Sequence, residues 1–123
     1  MVNIGIIGMG RIGKVHAESI LTGVKSACVL AAADPFMTEE TAEWAKSSGI
    51  ENVYDDYRKI IKDKRIDAVL ICSSTDTHTP VSLEAIDAGK HVFCEKPIDH
   101  NLDKINEVIN ALKDSQCKYQ VGF

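Results

Sequence analysis

Val2-Asn3-Ile4-Gly5-Ile6-Ile7-Gly8-Met9-Gly10-Arg11-Ile12-Gly13 is the stretch on which the fold turns. Its apolar run, Val2 to Ile7, reads as a strand, feeds the GxGxxG turn Gly8 to Gly13, and leaves into residues spaced for a helix. Each glycine has its own task in such a turn. Gly8 lets the chain turn sharply out of the strand. Gly10 carries no side chain to hold a pyrophosphate off the backbone, and Gly13 lets the helix sit close on the sheet. A helix N-terminus offers free N–H groups and the positive end of a dipole, which favour an anion. Arg11 and Ile12, at that N-terminus, join Gly8, Gly10 and Gly13 as candidate dinucleotide contacts.

Working outward, a helix is expected over Arg11 to Leu21, with Ile12, Val15, His16, Ser19 and Ile20 spaced for one face and Gly23 ending it. Ala27 to Ala33 then reads as a buried parallel strand. Asp34 follows at once, 21 positions after Gly13. In this kind of unit a carboxylate there accepts hydrogen bonds from the adenosine ribose hydroxyls. It also repels a 2′-phosphate, and Pro35 and Phe36 bring no arginine to receive one, so NAD is favoured over NADP. The plainer reading, an Asp-Pro turn capping a helix near Thr38, is outweighed by the order strand, turn, helix, strand, acid.

The 123 residues suffice for one domain. A hydrophobic fraction of 45% and a charged fraction of 26% are those of an ordinary globular protein. With a net charge of −4 and no basic cluster, neither nucleic acid nor an anionic membrane is a natural partner. No apolar stretch reaches spanning length and no charged region precedes the first strand, so a cytoplasmic location is expected. Cys28, Cys72, Cys94 and Cys117 are far apart, and three lie in apolar runs; this suits reduced core thiols, and no metal site is expected.

The alternation continues. Helices are expected over Thr38–Lys46, Asp55–Lys64, Pro80–Ala88 and Leu102–Leu112, with strands at Asn52–Tyr54, Asp67–Cys72, His91–Cys94 and Lys118–Val121. Right-handed crossovers then give an α/β fold, a Rossmann-type doubly wound parallel sheet in three αβα layers. Ligands of such sheets bind beyond the carboxyl ends of the strands, here after strands one, two, four and five. Two further segments fall there. Ser73-Ser74-Thr75-Asp76-Thr77-His78 is a hydroxyl-rich loop that either borders the nicotinamide half of a cofactor or caps the next helix; composition does not separate the two. Glu95-Lys96-Pro97 places a charged pair at the end of an apolar strand, either a surface ion pair or a lysine offered to a substrate hydroxyl. Pro97 biases Lys96 toward an extended conformation.

Ala88 to Pro97, Ala-Gly-Lys-His-Val-Phe-Cys-Glu-Lys-Pro, resembles the AGKHVxCEKP signature of the glucose-fructose oxidoreductase, inositol dehydrogenase and rhizopine-catabolism (Gfo/Idh/MocA) superfamily. Gly8 to Ile20, Thr75 to His78 and Glu95 to Asp99 resemble, more narrowly, its myo-inositol 2-dehydrogenase branch. Many members have Thr-Pro-Asn where this chain has Ser73-Ser74-Thr75, so that loop's side-chain contacts differ. The resemblance implies a secondary-alcohol dehydrogenase of cyclic polyols or sugars in which Lys96 hydrogen-bonds the reacting hydroxyl beside the nicotinamide of NAD. It assigns Ser73, Ser74, Thr75, His78, Glu95 and Lys96 to the cofactor's surroundings. An Asp and a His of a second, α/β substrate domain would complete the site, the His as general base. Residues 1–123 are then the cofactor domain alone, binding NAD without turnover, and the full-length protein is expected to be a dimer or tetramer. His16, His91 and His100 are more simply packed or surface histidines than substitutes for the base. A catalytically silent NAD(H)-binding sensor would share the glycine turn and Asp34 but has no need of Lys96; an S-adenosylmethionine methyltransferase accounts for neither the third glycine nor Glu95-Lys96-Pro97.

Overall fold

The computed structural model describes residues 1–123. Six strands, β1 (Val2–Ile7), β2 (Ala27–Ala33), β3 (Asn52–Tyr54), β4 (Ala68–Ile71), β5 (His91–Glu95) and β6 (Tyr119–Gly122), alternate with five helices. The helices are α1 (Arg11–Gly23), α2 (Glu39–Ser47), α3 (Arg58–Lys62), α4 (Thr75–Asp87) and α5 (Leu102–Lys113). All pairings are parallel and the sheet order is β3-β2-β1-β4-β5-β6, the doubly wound arrangement with its switch point between β1 and β4. One apolar core packs α3, α4 and α5 on the sheet through Ile60, Val81, Ala85 and Val108. The other packs α1 and α2 on the opposite face through Ala17 and Ala45 against Ile6, Val29 and Ala32. The expected three layers are thus present.

Three expectations about the helices are corrected. On α1, Ile12 and Val15 do not face the sheet; they are 44% and 50% exposed, and Ser19 is exposed too. Gly13 and Ala17 are buried instead, with Ile20 and Leu21 partly covered. The helix lies so close to β1 that only small side chains fit beneath its first two turns. Second, α4 starts at Thr75, not at Pro80, so Thr75 to His78 are its first turn and only Ser73 and Ser74 remain as loop. Pro80 removes one helical hydrogen bond, to the Asp76 carbonyl, and both residues are exposed, where that loss is cheapest. Third, α3 is only five residues long, because Asp56 accepts from the Arg58 amide at 2.9 Å and closes a turn before it.

The loop between α3 and β4 is fixed from below by Lys90. Its ammonium, in a residue 5% exposed, donates to the carbonyls of Asp63 and Ile66 at 2.8 Å each. Burial pulls its pKa below the ordinary lysine value, against the pull of Asp63 and Asp67. Lys90→Met keeps the hydrocarbon and strands two carbonyls, so it is expected to cost about 2 kcal/mol, read as a lowered midpoint in urea unfolding.

Candidate functional site

At the carboxyl edge of the sheet a cleft of about 720 Å³ opens over the switch point. Gly8, Gly10, Asp34, Ser73 and Ser74 line it. The carboxyl end of β3 also reaches it, through Asp55, Asp56 and Tyr57, with Arg58 from α3; the sequence reading passed over that edge. The signal was available, since β3 stands beside β2 in any sheet of this order.

The glycine turn is built by close approach. Gly8 sits at φ +97°, and a Cβ there would collide with the Ser73 amide nitrogen and the Cys72 carbonyl carbon. A Cβ at Gly13 would collide with the Gly8 carbonyl oxygen. Gly10 differs from both: a Cβ there would meet no protein atom within 4 Å, yet the residue lines the cleft. The space above it is open on the ligand side. Gly10 is also the N-cap of α1 and has no side chain to cap it, which leaves the first-turn N–H groups to an anion. This cradle fits a dinucleotide pyrophosphate.

Asp34 follows β2 and binds the turn to it. One carboxylate oxygen accepts from the Met9 amide at 2.7 Å and the other from the Phe36 amide at 2.8 Å. It does not cap α2; Thr38 does, accepting from the Thr41 amide at 3.1 Å. Each carboxylate oxygen keeps acceptor capacity toward the cleft. Asp55 and Asp56 add negative charge nearby, while Arg58 is drawn to Glu84 at 3.5 Å and Asp56 at 4.0 Å. Replacing Asp34 with asparagine is expected to weaken NAD binding several-fold and to shrink any preference over NADP, measured by titration calorimetry.

The remaining expected residues are placed differently. Arg11, Ile12 and Thr75 occupy the first turns of α1 and α4 beside the cleft without lining it, and Gly13 is buried behind it. His78 does not line the cleft: it is 2% exposed, and its ring nitrogens lie 2.7 Å from the Pro97 carbonyl and 2.9 Å from the Ser73 carbonyl. Glu95 forms no ion pair with Lys96. Its carboxylate is 2.6 Å from Nε2 of His16, whose ring packs edge-on against Phe93. Lys96 is exposed, joined to Pro97 by a cis bond, and lies in a neighbouring groove with Ile98, Ile105, Val121 and Phe123. The reading of Glu95-Lys96 as a surface ion pair therefore fails, and the lysine ammonium is left for another partner. His91 stands at the opposite edge and accepts from the Lys118 amide, and His100 is exposed.

Residues 2–123 match the family model described as the oxidoreductase family with an NAD-binding Rossmann fold. The chain belongs to the Gfo/Idh/MocA family. It is an NAD-binding domain of these oxidoreductases. A myo-inositol 2-dehydrogenase of Thermotoga maritima is 39% identical over 120 residues, covering 98% of this chain and 35% of that protein. An inositol 2-dehydrogenase of Rhizobium meliloti is 39% identical over 122 residues, covering 99% of this chain and 36% of that protein. The scyllo-inositol dehydrogenase of Lactobacillus casei, solved with NAD(H) and scyllo-inositol, superimposes with a TM-score of 0.91 at 35% identity, over 99% of this chain and 36% of that one. The chain thus spans about a third of the length of these Gfo/Idh/MocA relatives.

Proposed function

We propose that this domain is the cofactor half of an NAD-dependent dehydrogenase that oxidises a secondary alcohol of a cyclic polyol or sugar, with inositols the first candidates. The observation that carries the reading is the division of Glu95-Lys96: Glu95 is held by His16, so Lys96 reaches the carboxyl edge of β5 with its ammonium uncommitted. A sensor that only binds NAD(H) gains nothing from that arrangement.

Bound NAD supplies a hydride acceptor at its nicotinamide ring. The residues of this chain do the rest of the work assigned to the domain. Gly8, Gly10 and Gly13 with the α1 N-terminus hold the pyrophosphate, and Asp34 accepts from the ribose hydroxyls and disfavours the 2′-phosphate of NADP. Lys96 donates a hydrogen bond to the reacting hydroxyl and stabilises the negative charge that develops on its oxygen as the proton leaves. The general base lies outside residues 1–123, in a second domain that also selects the substrate. Assembly as a dimer or tetramer and a cytoplasmic location belong to the same proposal; no helix of the chain is long and apolar enough to cross a membrane.

The test is NADH formation from myo-inositol, scyllo-inositol and glucose. A protein carrying this domain together with the remaining two-thirds of its relatives' length is expected to reduce NAD with at least one of them, and residues 1–123 alone with none. Binding of NAD by the longer protein without reduction by any cyclic polyol or sugar would favour the sensor.

A further inference from the structure

His78 is the fourth residue of α4 and is buried under the Glu95-Lys96-Pro97 segment. Both of its ring nitrogens face backbone carbonyl oxygens: Nδ1 that of Pro97 at 2.7 Å and Nε2 that of Ser73 at 2.9 Å. A carbonyl oxygen only accepts. A neutral imidazole has one N–H, so either tautomer would point a nitrogen lone pair at an oxygen lone pair at hydrogen-bond distance inside the protein. Only the doubly protonated ring satisfies both contacts. The next residue strengthens the grip, since the Thr79 hydroxyl donates to Asp99 at 2.8 Å. Two consecutive residues of α4 therefore hold the chain on either side of Ile98, just beyond Lys96.

We propose that His78 is an imidazolium in the folded domain and serves as a positioning residue, clamping the segment that carries Lys96 to the turn after β4. The role for Lys96 rests on the function proposed above; the protonation state of His78 does not. The groups around the ring are few. Cys94 on β5 lies against it, with Tyr119 on β6 beyond that thiol. Asp99 is engaged by Thr79, Glu95 by His16, and Asp76 stands exposed on the same helix. Burial pushes the His78 pKa down, but the neighbouring Cys94 and the carbonyls of Pro97 and Ser73 outweigh it, raising the value from 6.5 to about 9. Because the folded-state value is the higher one, the stabilisation is complete below pH 6.5 and is lost as pH rises through about 9.

The test uses the chain as it stands. Nitrogen-15 spectra of the histidine rings at neutral pH should show both His78 nitrogens protonated, with a single titration midpoint near 9. Backbone order at Lys96 and Ile98, read by nitrogen-15 relaxation, should fall through the same midpoint while that of β1 does not. In His78→Gln, which offers donors from one nitrogen only, backbone order at Lys96 and Ile98 should be low at neutral pH and independent of pH up to that midpoint. A His78 ring with one unprotonated nitrogen at neutral pH would overturn the proposal, and that measurement needs no variant to fold. A doubly protonated ring whose titration leaves Lys96 and Ile98 unchanged would overturn the clamp.

Discussion

Gly13→Ala is expected to unfold or nearly unfold this domain. The added methyl group would overlap the Gly8 carbonyl oxygen and lie 2.9 Å from the Gly8 carbonyl carbon. Neither is the end of a flexible side chain. Gly8 cannot move aside, because it is itself wedged against the backbone of Cys72 and Ser73 at φ +97°. α1 would have to lift off β1 and uncover Ala17 and Ile6. Overpacking by a methyl group ordinarily costs about 1–3 kcal/mol, and backbone against backbone belongs at or above that range. A loss of about 4 kcal/mol is most of the stability of a marginal domain and corresponds to a fall in Tm on the order of 15 °C. Gly10→Ala is the control. No protein atom stands within 4 Å of its Cβ and its φ of −73° suits alanine, so the cost is about 1 kcal/mol at most, from a poorer N-cap. Thermal unfolding should therefore separate the two variants, while titration with NAD should find binding lost in both.

Lys96→Ala has the second large effect, and it falls on chemistry instead of folding. Lys96 is exposed and its neighbour Glu95 is bonded to His16, so the substitution removes no contact that holds the domain together. In the full-length dehydrogenase proposed above, it would remove the donor to the reacting hydroxyl. A positioned proton donor or acceptor contributes about 10²- to 10⁴-fold, so kcat should fall by roughly 10³ with Tm unchanged. Lys96→Arg should not restore the rate, because a planar fork does not replace a compact ammonium at a single oxygen. Unchanged kcat in Lys96→Ala would remove Lys96 from the mechanism.

Where the chain was legible, the reason is local. The run Val2 to Ile7, the glycine turn and Ala27 to Ala33 carry their structure in adjacent residues, and Asp34 stands at a distance set by one helix and one turn. Where the reading failed, the deciding contact lay elsewhere. The inward face of α1 follows from how closely Gly13 meets Gly8, which outranks the helical spacing of Ile12 and Val15. α4 begins at Thr75 although proline usually marks a first turn, because Ser74 provides the extended N-cap and the lost bond at Pro80 is exposed. His78 and Glu95 are likewise placed by distant contacts. Their partners, Pro97, Ser73 and His16, are 5 to 79 residues away, and no local pattern announces them. The acidic rim at Asp55 and Asp56 enters the site only through the order of the strands.

Calorimetric titration of residues 1–123 with NAD and with NADP tests the centre of the account, a glycine cradle and an acidic rim built for an unphosphorylated ribose. Like charge at Asp34, with Asp55 and Asp56 close by, should make NADP weaker by at least about 1.4 kcal/mol, a factor of ten in Kd. The predicted result is saturable one-to-one binding of NAD with NADP at least tenfold weaker; equal affinities, or tighter binding of NADP, would contradict it.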